Sequence, residues 1–423
     1  MKGMTQNSLS IGDVIRIQID RLAFGGEGVG RVEGLVVFVP LAAPGDVLDV
    51  QIVETKKNFA RGSIVHIIRP SADRRQPPCQ YYGDCGGCQL QHLSYEAQLR
   101  AKSDFIRDSM RKIGGIEWPH EIEVKRSPEL SYRSRAQLKL DREEAAAGAL
   151  ESRQPGPSEQ HDRVLIGFHR RSSHSVCDIE ECVVLEPELN SALAELRTTL
   201  NSPGARRVEL PRAIDLAAGD SRVAAHPPAA GIAADPIKRR IGRFIYQFSA
   251  STFFQANPSV LADLIDSATL EAKGETAVDL YAGVGLFTLP LATAFKRVIG
   301  VESSAESAAF AAANIGASGL SNIVFRRRRS EDWLREHADA IAAGRQVATD
   351  FMLVDPPRGG VEGAGRHLIR AAPVEICYVS CNPATLSRDL ARLIKHGYRI
   401  EKLLGLDLFP QTYHVETIAR LRL

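Results

Sequence analysis

The stretch ICYVSCNPATL, Ile376–Leu386, puts a thiol where thiols do chemistry. Ile376–Val379 is apolar and partly β-branched, which suits a strand covered on both faces. Asn382-Pro383 is a turn signal, and a helix pattern over Ala384–Lys395 follows. Cys381 is therefore expected just past the carboxyl end of a central strand, where open α/β sheets hold their ligands. A thiol there is a candidate nucleophile. A buried structural cysteine is the commoner fate of a lone Cys. Cys377, inside the strand, fits that fate; Cys381, beside Ser380 and Asn382, does not. A second group of thiols lies in CQYYGDCGGC, where Cys79, Cys85 and Cys88 have the spacing C-x5-C-x2-C. Gly86 and Gly87 let the backbone fold tightly around such a cluster. Cys177 and Cys182 offer a fourth thiolate, and an iron–sulfur cluster and a structural zinc both accept four.

A third constellation is VDLYAGVGLF, read as strand, glycine loop and helix, with Gly283 and Gly285 admitting a ligand near a helix amino terminus. About twenty residues on, the next strand ends in Glu302, an acid placed to take both ribose hydroxyls of a nucleoside cofactor. Both a dinucleotide and S-adenosylmethionine fit, and D-L-Y-A-G in place of a G-x-G-x-x-G run favours S-adenosylmethionine. Asp355-Pro356-Pro357-Arg358 ends another strand and gives the pocket a stiff, acidic rim.

These residues need a scaffold, and from Phe244 onward strands and helices alternate. Strands are predicted at 277–280, 298–302, 323–327, 351–354 and 376–379. Helices are predicted at 260–270, through 289–295, and at 305–316, 331–343, 365–371 and 384–395. Such alternation argues for a doubly wound sheet. Two last strands, 399–408 and 414–421, are close enough in sequence to pair antiparallel. Residues 10–70 instead alternate short β-rich runs with glycine turns at Gly25-Gly26, Gly28, Gly30 and Pro44-Gly45, the pattern of a small antiparallel barrel. Between them come an amphipathic helix over 95–114, a basic strand SYRSRAQLKL with Arg133, Arg135 and Lys139, and a similar FHRR at 168–171. An aromatic beside clustered arginines suits RNA phosphates and stacked bases, and a solvated strand face is as good a reading of any single residue. Residues 142–163 are polar and carry Pro and Gly, which predicts a mobile loop.

The chain has 423 residues, too many for one ordinary core, and 44% hydrophobic with 25% charged residues is ordinary for a globular protein. A net charge of +2 excludes a strongly basic nucleic-acid binder, so RNA contacts must come from local patches. No run is apolar and long enough to span a bilayer, and the amino terminus lacks a leader pattern, so a cytoplasmic protein is expected. Its seven cysteines are then expected to bind metal or do chemistry rather than form disulfides.

Cys381 and Glu416, the latter in FPQTYHVETI, come from neighbouring strand-end loops in this topology. A nucleophile plus a base is what methylation at a pyrimidine carbon requires. Uracil C5 is a poor nucleophile until a thiolate adds to C6; a carboxylate then removes the C5 proton and the thiolate leaves. A surface carboxylate is the plain alternative for Glu416.

The segment GDVIRI…RLAFGGEGVGRVEGLVVFVP…GDVLDV resembles a TRAM domain, an RNA-binding module. The whole chain, through CQYYGDCGGCQLQH, FSASTFFQANP, VDLYAGVGLFTLPLA, LVDPPRGG, VSCNPATLSRDL and LDLFPQTYHVET, resembles the iron–sulfur, TRAM-bearing RNA (uracil-5-)-methyltransferases that modify 23S ribosomal RNA. The resemblance implies a multidomain α/β protein: an OB-like barrel over 1–70, a central α+β domain with the iron–sulfur cluster over 71–243, and a Rossmann-like methyltransferase sheet over 244–423. It implies that Cys381 is the nucleophile and Glu416 the base, and that Gln255, Tyr281, Glu302 and Asp355 contact S-adenosylmethionine. Cys79, Cys85, Cys88 and Cys182 would hold a 4Fe-4S cluster, with Cys182 preferred to Cys177 because it precedes the Leu185 and Pro187 element. It implies 23S rRNA as partner, with transfer RNA disfavoured because transfer-RNA relatives usually lack barrel and cluster; a monomer without obligate protein partners is expected. Two departures stand out. Leu286 replaces an asparagine that some relatives use on the cofactor. Arg326–Arg329 stands where a carboxylate or amide toward the adenine is usual, leaving that contact to Ser330 or the backbone. Rival readings are a cytosine-C5 methyltransferase, an RNA-binding factor without catalysis and, more distantly, a dinucleotide oxidoreductase.

Overall fold

The structure, a computed structural model, describes residues 9–143, 163–202 and 209–423. The stretch 142–163, apart from its ends, lies outside the described residues. The first sheet contains β1 (Val14–Gln18), β2 (Arg21–Leu22), β3 (Gly28–Val32), β4 (Leu35–Val39), β5 (Val47–Thr55) and β6 (Phe59–Arg69), in the order β1-β5-β6-β4-β3-β2. It closes over Ile17, Val37, Val39, Leu48, Val50 and Ile52. Two expectations change here. The sheet is not wholly antiparallel, because β4 and β6 run parallel. Gly28 and Gly30 are not turn residues; they lie inside β3, where a Cβ on Gly30 would stand 2.3 Å from the Gln18 carbonyl oxygen. Close packing against β1, not a reversal of the chain, demands glycine there.

The central segment has α1 (Tyr95–Ser109), the short strand β7 (Val124–Lys125), β8 (Arg135–Arg142), β9 (Val164–His169), β10 (Val176–Asp178), α2 (Pro187–Leu200), β11 (Ala213–Ala218) and β12 (Val223–His226). Its five-stranded sheet runs β10-β9-β8-β11-β12, and α2 covers it through Leu189, Leu193 and Leu196. The hairpin of β13 (Ile237–Ile241) and β14 (Phe244–Phe248) follows, so a boundary at 243/244 falls inside a paired unit. The basic strand begins at Arg135 rather than Ser131, whose φ of 51° is left-handed. α1 ends in a wide turn at Met110–Gly114, with Gly115 in the left-handed region, close to the predicted glycine stop.

The last sheet has eight strands in the order β17-β16-β15-β18-β19-β21-β20-β7. Its elements are α3 (Leu261–Thr269), β15 (Gly274–Leu280), α4 (Thr288–Leu291), β16 (Phe295–Glu302), α5 (Ala305–Ser318), β17 (Ile323–Arg327), α6 (Ser330–Ala342), β18 (Phe351–Val354), α7 (Gly365–Ala371), β19 (Glu375–Ser380), α8 (Pro383–Lys395), β20 (Arg399–Leu406) and β21 (Glu416–Arg422). β15 to β19 are parallel, and β20 pairs antiparallel with β21 as predicted. Period-two alternation sends Ala277, Leu353, Cys377 and Val379 to one face, beneath α3, and Val278, Met352, Ile376 and Tyr378 to the other, beneath α6 to α8. The helix predicted through Phe295 is only one turn, because Phe295 already belongs to β16. α1 also covers this sheet: Ile106 and Met110 pack in the same core as α8, and β7 pairs with β20. The buried Lys102 donates to Asp407 and, at 3.0 Å, to the Phe409 carbonyl oxygen. Part of the segment assigned to a central domain thus completes the C-terminal layer. Among the described residues no helix is long and apolar enough to cross a membrane.

Candidate active site

Four strand ends converge on one cavity of about 680 Å³. β15 leads into Tyr281, whose φ of 62° is left-handed, and then Gly283; a non-glycine residue held there marks backbone strain kept for a purpose. β16 ends in Glu302, whose Oε2 accepts from the Gly283 N–H (2.9 Å) and whose Oε1 accepts from the Ser304 N–H (2.7 Å). The carboxylate is thus fixed in direction and braces the glycine loop. β18 delivers Asp355, and β19 delivers Cys381, with the Asn382 side chain capping α8 (Oδ1 to the Ala384 N–H, 3.0 Å). Because β21 runs antiparallel to β19, with Thr417 opposite Ser380, its first residue, Glu416, arrives at the end where β19 finishes. Gln255 comes from the loop after β14. Gln255, Tyr281, Glu302, Asp355, Cys381 and Glu416 all line this cavity.

Burial pushes the Cys381 thiol up to about 11; the Glu416 carboxylate adds to that, and Arg358, by charge and hydrogen bond, works against it. Glu416 is fully buried and its carboxyl is raised far above the usual range, first by desolvation and then by Asp355. Its Oε1 has no hydrogen-bond partner among the described residues. Burial raises Asp355 to about 7. An acid, a second acid and a thiol, all pushed toward their neutral forms around one space, are groups poised to trade protons.

Several contributors escaped the sequence reading. Arg358 was seen only as the end of DPPR, and nothing in the sequence said it would face a cysteine 23 residues on in the chain. His414 and Phe409 line the cavity too, and burial lowers His414 to about 4, so it is neutral. Asp279, inside D-L-Y-A-G, lies beneath the glycine loop; it accepts from Thr288 Oγ1 (2.5 Å), leaves Oδ1 unpartnered and is raised by burial to about 7. Leu286 does line the cavity. Ser330 and Arg329 line a smaller adjoining cavity of about 250 Å³ that shares Tyr281 and Ser303 with the main one.

The other thiols form a separate group. Cys79, Cys85, Cys88 and Cys182 line one cavity of about 30 Å³ together with Arg133. Cys177 does not; it is buried in β10, and its Sγ lies 3.5 Å from Asp84 Oδ2. Burial raises Cys88 to about 12 and Cys182 to about 11. As placed, no three His, Cys, Asp or Glu side chains among the described residues could hold a metal ion together. The predicted RNA arginines divide. Arg135 is half-buried: its guanidinium lies over Phe248, donates to the Ala250 carbonyl oxygen (2.7 Å), and is lowered to about 10 by desolvation. It ties the central sheet to the loop carrying Gln255. Arg133 turns toward the cysteines, while Phe168–Arg171 lines a surface pocket.

Comparison with known proteins converges on the same picture. The family model described as tRNA (Uracil-5-)-methyltransferase matches residues 235–422, and that of the TRAM domain matches residues 9–65. An uncharacterized RNA methyltransferase of Thermosynechococcus vestitus is 32% identical, over 97% of this chain and 98% of its own length. The 23S rRNA (uracil(1939)-C(5))-methyltransferase RlmD of Cronobacter sakazakii is 32% identical, over 96% of each chain. Among solved structures, the tRNA (uracil-54, C5)-methyltransferase of Pyrococcus abyssi, in complex with S-adenosyl-L-homocysteine, superposes with a TM-score of 0.68 at 25% identity, covering 96% of this chain and all of that one. With a TRAM sheet in front, a doubly wound sheet behind, and full-length relatives of this kind, the chain belongs to the S-adenosylmethionine-dependent RNA (uracil-5-)-methyltransferase family.

Proposed function

We propose that this enzyme methylates uridine C5 in 23S rRNA, with Cys381 as nucleophile and Glu416 as base. The observation that carries the reading is the convergence of that thiol and that carboxylate on one cavity, reached through the antiparallel β19–β21 pair. Cys381 loses its proton to solvent, and the thiolate Sγ adds to C6 of the uracil, leaving an electron-rich C5 while Glu416 stays an unprotonated carboxylate. When bound, S-adenosylmethionine supplies an electrophilic methyl group and a positive charge that favours the ionised forms of its neighbours. After C5 is methylated, Glu416 takes the C5 proton, the C5–C6 double bond re-forms, and the Cys381–C6 bond breaks. Arg358 assists the first step by favouring the thiolate. The raised affinity of Glu416 for protons suits it to the last. Glu302 is placed for the ribose hydroxyls. The adjoining cavity lined by Ser330 would take the adenine, a reading supported by its sharing Tyr281 and Ser303 with the main cavity.

The donor set, four thiols lining one cavity, is the chemistry of a soft-metal centre although the side chains as placed do not converge on one point, and we assign Cys79, Cys85, Cys88 and Cys182 as ligands of a 4Fe-4S cluster whose role is structural. The 23S assignment rests on the names of full-length relatives. The barrel does not separate it from transfer-RNA methylation, because the Pyrococcus abyssi tRNA enzyme is matched over 96% of this chain.

The decisive experiment uses Glu416→Gln with S-adenosylmethionine and unmodified total RNA. A denaturation-resistant protein–RNA adduct is expected, absent in Cys381→Ala, and sequencing the trapped RNA identifies the uridine. No adduct, with wild-type methyl transfer intact, would refute the Cys–Glu assignment. Trapped transfer RNA would refute the 23S assignment alone.

A further inference from the structure

Among the described residues, a second surface pocket lies outside the chemistry described above. It has a volume of about 560 Å³ and is lined by Gly87, Gln89, Phe168, His169, Arg171 and Tyr413, among others. Three parts of the molecule build it. The cysteine-rich loop is pinned to the end of β9, where the Gly86 N–H donates to the His169 carbonyl oxygen at 2.9 Å. The same loop is pinned to the catalytic region, where the Gln89 and Leu90 N–H groups both donate to the Gln411 carbonyl oxygen at 2.9 Å. Tyr413 closes the third side, edge-on to Phe24 of the barrel (5.2 Å) and tilted against His414 (4.2 Å).

The charges in this pocket are unevenly satisfied. Arg170 is paired with Asp84, and His169 Nδ1 meets the His174 carbonyl oxygen at 2.8 Å. Arg171 has neither kind of partner. Its guanidinium carries no ion pair among the described residues, and its Nη1 is shut off from solvent without an acceptor. An unpaired guanidinium nitrogen withdrawn from water is costly unless an anion completes it. Beside it stand two rings, Phe168 and Tyr413, neither fully buried. Anion site plus aromatic faces is the chemistry of a nucleotide of single-stranded RNA. The location narrows this further. His414, the next residue after Tyr413, lines the active-site cavity; adjacent Cα atoms are about 3.8 Å apart, so consecutive residues of one loop form walls of the two cavities.

We propose that this pocket holds the RNA nucleotide next to the target uridine, its phosphate on Arg171 and its base against Tyr413. The proposal rests on the RNA-methyltransferase reading, and it gives the junction of barrel, cysteine loop and catalytic sheet a common purpose: each contributes a wall to the substrate's path.

The test is equilibrium binding of the full-length protein to a fragment of unmodified 23S rRNA over a salt series. It is repeated with an abasic residue on the 5′ or the 3′ side of the target uridine. Arg171→Gln should weaken binding and lower the log–log salt slope by about one. Tyr413→Leu should weaken binding about tenfold, as loss of one stacked base does, whereas Tyr413→Phe should bind as wild type does. On the RNA that lacks the base on the correct side, Tyr413→Leu should cost nothing further. S-adenosylmethionine affinity checks the fold of each variant; if Arg171→Gln fails that check, the Tyr413 arm decides. An equal tenfold loss on intact and both abasic RNAs, or an unchanged salt slope in folded Arg171→Gln, would overturn the proposal. Wild-type protein that binds the fragment without methylating it would overturn the substrate assignment and leave the pocket standing.

Discussion

Among the described residues, thiols line two separate cavities that differ in company. Around the candidate active site, a single cysteine shares about 680 Å³ with the buried Glu416, the half-buried Asp355 and an arginine that favours its thiolate. Around the other, four cysteines surround about 30 Å³ with no carboxylate in the lining. Desolvation raises the thiols in both. A lone thiol facing a base and an open space can add to a substrate and leave again. Thiols facing one another have the chemistry of soft-metal ligands, the role proposed for these four.

The comparison breaks most severely at Cys381. Cys381→Ala should abolish methyl transfer and the adduct while leaving S-adenosylmethionine binding intact, as radiolabelled transfer and calorimetry would report. Cys182→Ser should abolish bound iron and labile sulfide and lower the thermal midpoint, with Cys177→Ser keeping its iron; iron lost equally from both would remove Cys182 from the ligand set. Arg358→Met should slow adduct formation about ten- to a hundredfold at neutral pH. Its effect has a sign: the thiol starts near 11 and Arg358 holds it down, so the pH profile of the variant should move upward and the defect shrink in alkaline buffer. A defect constant with pH would mean that Arg358 acts elsewhere.

The smallest effect concerns the buried acids that support the catalytic cavity. Asp279 and Asp355 rise from 3.8 toward about 7 on folding. Folded protein therefore binds protons more tightly than unfolded chain, and the associated stability, complete below about pH 4, is lost as pH rises through 7. Without cofactor, the thermal midpoint should fall by a few degrees between pH 5 and 8, and Asp279→Asn should flatten that slope. An Asp279→Asn slope identical to that of the unsubstituted protein would show that Asp279 ionises freely when buried.

Much of the C-terminal sheet was legible because its signals are local. Strands such as Phe351–Val354 are short apolar runs between turn residues, and α7 was read at its observed bounds, Gly365–Ala371. The central segment was harder. Arg135 and Arg171 look alike in sequence, each in a short run with an aromatic and a second arginine, yet the first is a half-buried clamp on the Ala250 carbonyl and the second lines a surface pocket. Glycines gave a similar ambiguity, since Gly28 and Gly30 mark a close approach of strands and not a turn.

What the sequence by itself determined is everything set by neighbours along the chain: the alternation of strands and helices, the caps and turns, and the candidate thiols and acids with the strand ends that carry them. Periods of two and 3.6 residues and the conformations of Gly, Pro and Asn are local properties. Only the tertiary structure decided who meets whom. The antiparallel return of β21 brings Glu416 to Cys381, and strand order brings Arg358 beside the same thiol. The docking of Gln89 and Leu90 on Gln411 sets the cysteine loop beside the catalytic cavity. Those meetings depend on which apolar faces bury one another across hundreds of residues, and burial then decides which charges survive and which are neutral.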